Sequence, residues 1–368
     1  MNDVMPTLWV TGAPGAGKST VGWKLFGQIA AHGGSVAYLD IDQLGLLGPP
    51  PGGGDRGHRI KSDNLIPLLH GLRDFGVRQT IISGVVDPER GLEYYLRTGP
   101  RLEGVDLDLV RLSCSFEVLC ERFLGRGSSA DLLDELQKYV RLLDSTDIGE
   151  SVDTTHHTPD QTVAGLLGRC LIAAPRAGAT PVCAQTSIPV AAVTGPTAVG
   201  KSTAGWHALQ TLWQQGLTTA FVDAQQLSFV HPPPPDAFVQ SQISALVHGY
   251  ERAGATAALL VARDPTIART WSGGPPGVVV RLGADRASLQ ERVESRGRGL
   301  SALLAGDELR GAPSPARRAV LDRALQEAED FARDHPDLPV LDSSHQTAEE
   351  TAAMLLEHLR PALVSPRC

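Results

Sequence analysis

Lysine is scarce in this chain: the 368 residues hold five lysines against 28 arginines. From residue 176 onward Lys201 stands alone. A chain biased this far toward arginine keeps lysine where a compact ammonium fits and a planar fork does not, which draws attention to Lys201 and to Lys18. Cysteine is sparse too. Cys114, Cys120, Cys170, Cys183 and Cys368 are scattered, odd in number and form no C-x-x-C. That excludes a disulfide framework or a zinc ribbon and predicts reduced, packed thiols. No apolar run reaches the ~18 residues of a spanning helix. Residues Met1 to Pro6 lack the basic-then-apolar plan of a signal peptide, so a cytoplasmic protein without a membrane partner is expected. Neither half is basic: residues 1–175 carry 16 Lys+Arg against 22 Asp+Glu, and residues 176–368 carry 17 against 19. This argues against a nucleic-acid partner. What remains is ordinary for a globular protein, 42% hydrophobic and 20% charged, in a chain long enough for two domains.

Among these ordinary numbers stands one specific stretch. Gly12-Ala13-Pro14-Gly15-Ala16-Gly17-Lys18-Ser19, followed by Thr20, fits the P-loop pattern G-x-x-x-x-G-K-[ST], with the apolar run Leu8-Trp9-Val10 before it and a helical pattern after it. Strand, tight loop and helix N-terminus are the context this motif needs. Gly12, Gly15 and Gly17 let the backbone wrap a phosphate, so that successive N–H groups point inward at the positive end of the helix. In this arrangement Lys18 reaches the β- and γ-phosphates, and Ser19 offers its hydroxyl to Mg²⁺. The motif returns 183 residues later as Gly195-Pro196-Thr197-Ala198-Val199-Gly200-Lys201-Ser202, followed by Thr203.

The repeat extends beyond the loops. Trp23 matches Trp206, Asp40 matches Asp223 and Leu44 matches Leu227 at the same offset. A proline-rich loop follows in each copy, then a helix, an apolar strand, a further strand, an Arg-rich helix and a last helix. Thr158 and Thr347 read as N-caps of those last helices, in capping boxes with Gln161 and Glu350. Strands alternating with helices predict βαβ units and mostly parallel sheets covered on both faces. The expected fold class is α/β, with two tandem P-loop NTPase domains of nucleoside-kinase-like type. The expected boundaries are residues 1–172 and 188–368, joined by a Pro/Gly/Ala linker over 173–187.

Asp40-Ile41-Asp42 closes the second strand at the top of the sheet, where open α/β folds bind ligands, and a period of two puts both carboxylates on one side. Here the chain resembles the small-molecule kinases of the P-loop superfamily: shikimate kinase, gluconate kinase and adenylylsulfate kinase. Those families place D-x-D or D-G-D after the second strand. The resemblance implies ATP and Mg²⁺ as cofactors, Asp40 holding the metal through water, and Asp42 orienting or deprotonating an acceptor hydroxyl. It implies an acceptor site lined by the small-residue turn Ser83-Gly84, and a lid carrying Arg122 and Arg126 onto the transferring group, with Lys138 and Arg141 further along. Without the family, Arg122 and Arg126 also fit a solvated helix face. Arg56, Arg59 and Lys61 open the next helix, either to hold an anionic acceptor or as an exposed face. The second copy reads Asp223-Ala224-Gln225: Ser202 and Asp223 keep the metal side, while an amide that cannot accept a proton stands in place of Asp42.

The expectation is therefore an ATP-dependent phosphotransferase acting on a hydroxyl of a small molecule. The N-terminal half is catalytic, and the C-terminal half binds nucleotide with an altered acceptor site. Two alternatives stand beside it: an ATPase or regulatory switch with a macromolecular partner, and a nucleotide kinase that grips its substrate with the Arg56–Lys61 segment. The acceptor's identity and the oligomeric state stay open.

Overall fold

Two successive runs of strands and helices build two mixed α/β sheets. The computed structural model describes residues 4–49, 56–96, 102–271, 273–274, 277–299, 306–307 and 309–363. The first run is β1 Met5–Gly12, α1 Lys18–Ala31, β2 Val36–Asp40, β3 Leu47–Gly48, α2 Arg56–Phe75, β4 Gln79–Ser83, α3 Gly91–Leu96, β5 Val105–Ser113, α4 Phe116–Gly125, α5 Leu133–Asp144, β6 Glu150–Asp153 and α6 Pro159–Leu167. The second is β7 Val190–Thr194, α7 Lys201–Gln214, β8 Thr219–Asp223, β9 Val230–His231, α8 Asp236–Arg252, β10 Ala257–Val261, α9 Pro265–Arg269, β11 Val279–Gly283, α10 Arg286–Gly297, α11 Ser314–Asp334, β12 Val340–Asp342 and α12 Ala348–Leu363.

The central strands are buried along their length, as parallel strands covered on both faces must be. In β1, Leu8, Trp9 and Val10 have at most 1% of their surface exposed, and β10 is buried throughout. The first sheet has the order β6-β5-β1-β4-β2-β9 and the second β12-β11-β7-β10-β8-β3. All pairings are parallel except the outermost β9 on β2 and β3 on β8. From β1 the chain runs to one side for β2 and β4, then crosses to the other side for β5 and β6. The loop leaving β1 therefore opens at the point where the connections diverge, the usual ligand crevice of an open α/β sheet. On one face α1 packs against α6, joined by Lys24 to Asp160 at 2.7 Å, and the second sheet repeats this with α7 and α12. The expected capping boxes are present at Thr158 with Gln161 and at Thr347 with Glu350.

The two edge strands depart from the simple tandem plan. β9 belongs by sequence to the second repeat but completes the first sheet, and β3 belongs to the first repeat but completes the second. The compact units are accordingly interleaved in sequence. One comprises Met1–Gly45, His58–Pro181 and Ser228–Phe238; the other comprises Leu46–Gly57, Val182–Leu227 and Val239–Cys368. Aromatic contacts hold the exchanged segments. In the first unit the Tyr38 N–H donates to the Phe229 carbonyl at 2.9 Å, the Phe229 ring lies 4.6 Å from that of Trp23, and Phe238 sits 4.1 Å from Phe75. In the second unit the Leu46 carbonyl accepts from Phe221 N–H at 2.8 Å, and Gly48 lies so flat on Trp213 that an added Cβ would come within 2.6 Å of the indole. The units thus differ from the contiguous halves at 46–57 and 228–238. Residues 173–181 of the expected linker belong to the first unit, tied by Ser35 N–H to the Ala173 carbonyl and Ala179 N–H to the Asp74 carbonyl. Among the described residues no helix is long and apolar enough to cross a membrane, and the four described cysteines form no disulfide.

Candidate functional site

The Gly12–Ser19 stretch is a loop between β1 and α1, and its glycines have specific reasons to be glycine. Gly12 takes φ 139°, and a Cβ there would meet the Leu112 carbonyl oxygen at 2.4 Å. Gly15 takes φ 93°, and Gly17, at φ 95°, caps α1 in the left-handed region. No side chain caps that helix, so its first N–H groups are left to an anion. The second loop has the same shape, with Gly195 at φ 140° and Gly200 at φ 95°. At the position of Gly15 it carries Ala198 at φ 65°, a strained conformation for a residue with a Cβ.

Lys18 folds back over its loop, donating to the Ala13 carbonyl at 2.9 Å. Burial brings its ammonium from 10.5 down to about 8, opposed by Asp42 and Asp40 and reinforced by Arg126. Lys201 makes the equivalent bond to the Pro196 carbonyl at 2.8 Å, and burial lowers it to about 8 as well. A buried, lowered ammonium gains most from an arriving anion, because the anion restores the solvation that folding removed.

Asp40 stands at the end of β2, two strands over from β1 with β4 between them. Burial, with Asp42 as the second cause, raises its carboxyl from 3.8 to about 6. The period-two placement of Asp40 and Asp42 needs correction. The chain leaves β2 directly into a 3₁₀ turn over Ile41–Gly45, and in that turn the Asp42 N–H donates to Asp40 Oδ1 at 3.0 Å. The two carboxylates are brought together by the turn rather than by strand alternation, with Asp40 half-buried and Asp42 exposed. In the second unit Asp223 accepts from the Ser202 hydroxyl at 2.9 Å and from Gln225 N–H at 3.0 Å, and burial raises its pKa. This hydroxyl–carboxylate pair beside a glycine loop suits Mg²⁺, which takes one or two carboxylates and completes its shell with water and phosphate oxygens. In both units the first cause of the upward shift is burial of the carboxylate. Ser19 Oγ interacts instead with the Tyr38 hydroxyl, which also bonds Ser83 Oγ at 2.6 Å. Thr20 and Thr203, next along each helix, are exposed.

The far side of Asp42 gathers residues that the sequence did not mark as a group. Lys61, from α2, meets Asp42 Oδ1 at 2.5 Å. One turn earlier on α2, His58 Nδ1 bonds the Tyr95 hydroxyl, and its Nε2 lies 3.8 Å from Asp87, which in turn pairs with Arg90 at 2.5 Å. Tyr139, from α5, feels both Asp87 and Asp42, and burial raises it to about 12. Asp42, at the end of the first glycine loop's neighbouring turn, thus stands near a polar network in which Tyr95 and Asp87 are buried and His58 is half-buried. The helical spacing of His58 and Lys61, i and i+3, was the one local signal for it. Asp87, Tyr95 and Tyr139 reach the site from three other segments, which no local pattern announces.

The remaining expected residues sort as follows. Arg126 approaches Lys18, donates to Ser128 Oγ at 3.0 Å and lies 5.0 Å over the Phe123 ring. Arg122 is committed to the turn after β6, donating to Thr154 Oγ1 at 3.1 Å and to its carbonyl at 2.9 Å, so it braces that turn and does not point at a transferring group. Its counterpart Arg292 does the same with Ser343 and also donates to the loop carbonyl of Val199 at 2.8 Å. Arg59 is exposed, 4.0 Å from Asp63; the side chain of Arg56 lies outside the described residues. Ser83 is buried under Tyr38, and Gly84, at φ 126°, has no room for a Cβ, which would meet Ile41 at 2.3 Å. In the second unit the loop opens into a cavity of about 620 Å³, lined among others by Lys201, Asp223, Gln225, Arg263 and Arg296.

The buried carboxyl of Asp40 gives a stability test. Its folded value of about 6 exceeds its ordinary 3.8. The stability it contributes is therefore present below about pH 4 and lost as pH rises through 6. Asp40→Asn is expected to match the parent near pH 4 and to exceed it by on the order of 2–3 kcal/mol at pH 7, read from urea melts at the two pH values. A parent and variant that run parallel across that range would contradict the burial of this charge.

No family model matches the chain, and no curated protein matches it. Among solved structures, a sugar kinase from Janibacter sp. HTCC2649 is similar over 45% of this chain and 93% of its own, at 21% identity and a TM-score of 0.33. The Deinococcus radiodurans tunicamycin resistance protein is similar over 45% of this chain and 95% of its own, at 15% identity and a TM-score of 0.37.

Proposed function

We propose that the chain is an ATP- and Mg²⁺-dependent phosphotransferase, with the first unit transferring a γ-phosphate to a hydroxyl of a small molecule. The observation that carries this reading is the placement of Asp42: an exposed carboxylate whose charge acts on Lys18 and which is held by Lys61. Phosphoryl transfer to an alcohol needs little covalent chemistry from the protein, only position and charge.

In this reading the loop N–H groups and Lys18 bind the phosphates, and Arg126 adds positive charge on the side of the lid. Asp40 and Ser19 would hold the metal, which when bound neutralises charge between the phosphates. Asp42 accepts the proton of the acceptor hydroxyl as its oxygen approaches phosphorus, and Lys61 fixes the carboxylate's direction. Half-buried His58, braced by the buried Tyr95 and Asp87, orients the acceptor. The second unit keeps the cradle, Lys201 and the Ser202–Asp223 pair, but Gln225 cannot take a proton, so it binds nucleotide without turning over an alcohol. The test is a comparison of two variants. Lys18→Ala is expected to lose transfer by about 10²-fold or more, while Lys201→Ala retains most turnover. The reverse ranking would move catalysis to the second unit.

A further inference from the structure

The second loop is not left entirely to an incoming anion. From α11, Glu327 Oε2 accepts the loop N–H of Thr197 at 2.7 Å, and its other oxygen lies 3.8 Å from Arg263 Nε. Its side chain is only 16% exposed, and its charge acts on Lys201. A carboxylate thus already takes one of the cradle's own donors, beside the ammonium that meets the β- and γ-phosphates. Among the described residues the first unit has no such arrangement. At the position of Thr197 it carries Pro14, which has no N–H to give, and the offset that relates Asp153 to Asp342 puts the exposed Lys138 where Glu327 stands.

We propose that Glu327 is a resident anion that sets the ligand length of the second site, making it a nucleoside-diphosphate site that disfavours the triphosphate. A diphosphate leaves the Thr197 N–H to Glu327. A triphosphate brings a further doubly charged group toward Lys201, where it must displace the carboxylate or sit against it, and like charges in a partly buried site repel strongly. Thr197, Lys201 and Arg263 all line the 620 Å³ cavity, so the contest takes place on its wall. With the first unit consuming triphosphate, the second would then respond to the diphosphate product. This inference rests on the reading that the second loop binds nucleotide.

The test is isothermal titration calorimetry on the full-length Lys18→Ala chain, so that the second loop reports alone, with Mg-ADP and with the non-hydrolysable Mg-β,γ-imido-ATP as probes. The diphosphate is expected to bind about tenfold or more tighter than the analogue. Adding Glu327→Gln is expected to close that gap to about twofold by strengthening the analogue, with Glu327→Ala as a second variant. An undiminished gap in a folded Glu327→Gln chain overturns the role of Glu327. Equal affinities in the Lys18→Ala chain overturn the diphosphate preference even if neither Glu327 variant folds. Absence of any Lys201-dependent binding removes the nucleotide site itself, a result distinct from both.

Discussion

Asp42→Asn is expected to lower phosphoryl transfer by about 10²–10⁴-fold, the range typical of a lost general base, while nucleotide affinity changes little. The geometry separates the two effects. In the proposed reading the phosphate is held by backbone N–H groups and Lys18, whose bond to Ala13 does not involve position 42. Asn retains the backbone N–H that donates to Asp40 and is nearly isosteric, so the 3₁₀ turn over Ile41–Gly45 should survive. What is lost is the acceptor for the alcohol proton and the charge partner of Lys61. The second unit serves as the internal control, since Gln225 already presents an amide there. The reciprocal change Gln225→Asp supplies a carboxylate but no counterpart of Lys61, because the matching position on α8 is the buried Val239. Measuring transfer and nucleotide binding separately checks the claim; equal losses in both would mean that Asp42 supports the loop rather than the acceptor.

The second large effect concerns folding. A break between residues 181 and 182 is expected to leave neither fragment with a complete sheet. Fragment 1–181 lacks β9 and Phe229, and fragment 182–368 lacks β3 and Leu46. The first then exposes the edge of β2 and the faces of Trp23 and Tyr38, and the second exposes Trp213 beside β8. Unpaired edges beside bare aromatics favour aggregation. Mixed together, the fragments are expected to restore protection of Val36–Asp40 against hydrogen exchange. Phe229→Ala in the intact chain should cost about 2–4 kcal/mol, and its loss of protection should appear in the first unit although the residue follows the second loop in sequence. Fragments that fold separately and do not associate would show that each proline-rich loop can close its own sheet.

These effects also mark what was legible in the sequence. The two glycine loops were readable because their turns need glycines at fixed steps just before a helix start. The βαβ alternation was readable from the buried runs of β1, β4, β7 and β10. The edge exchange was not, because β3 and β9 are two-residue strands in proline-rich loops, and their partners are fixed by contacts such as Phe229 on Trp23 and Gly48 on Trp213. Asp42 was found for its spacing, but a 3₁₀ turn rather than strand period brings it beside Asp40. The network of His58, Asp87, Tyr95 and Tyr139 draws on four segments and has no local signature. Arg122 has the composition of a lid residue, yet its hydrogen bonds hold the turn at Thr154. Glu327 is one acidic residue on a long charged helix, conspicuous only once its bond to Thr197 is seen.

The central claim is that the first unit gives its phosphate a small-molecule destination. The most direct measurement is product analysis with γ-labelled ATP, Mg²⁺ and a panel of hydroxyl-bearing metabolites, run in parallel on the parent, Asp42→Asn and Lys201→Ala chains. The account predicts label in one phosphorylated metabolite, in step with ADP, from the parent and Lys201→Ala chains and not from Asp42→Asn. Label released only as inorganic phosphate, or transfer that survives Asp42→Asn and disappears with Lys201→Ala, would contradict it.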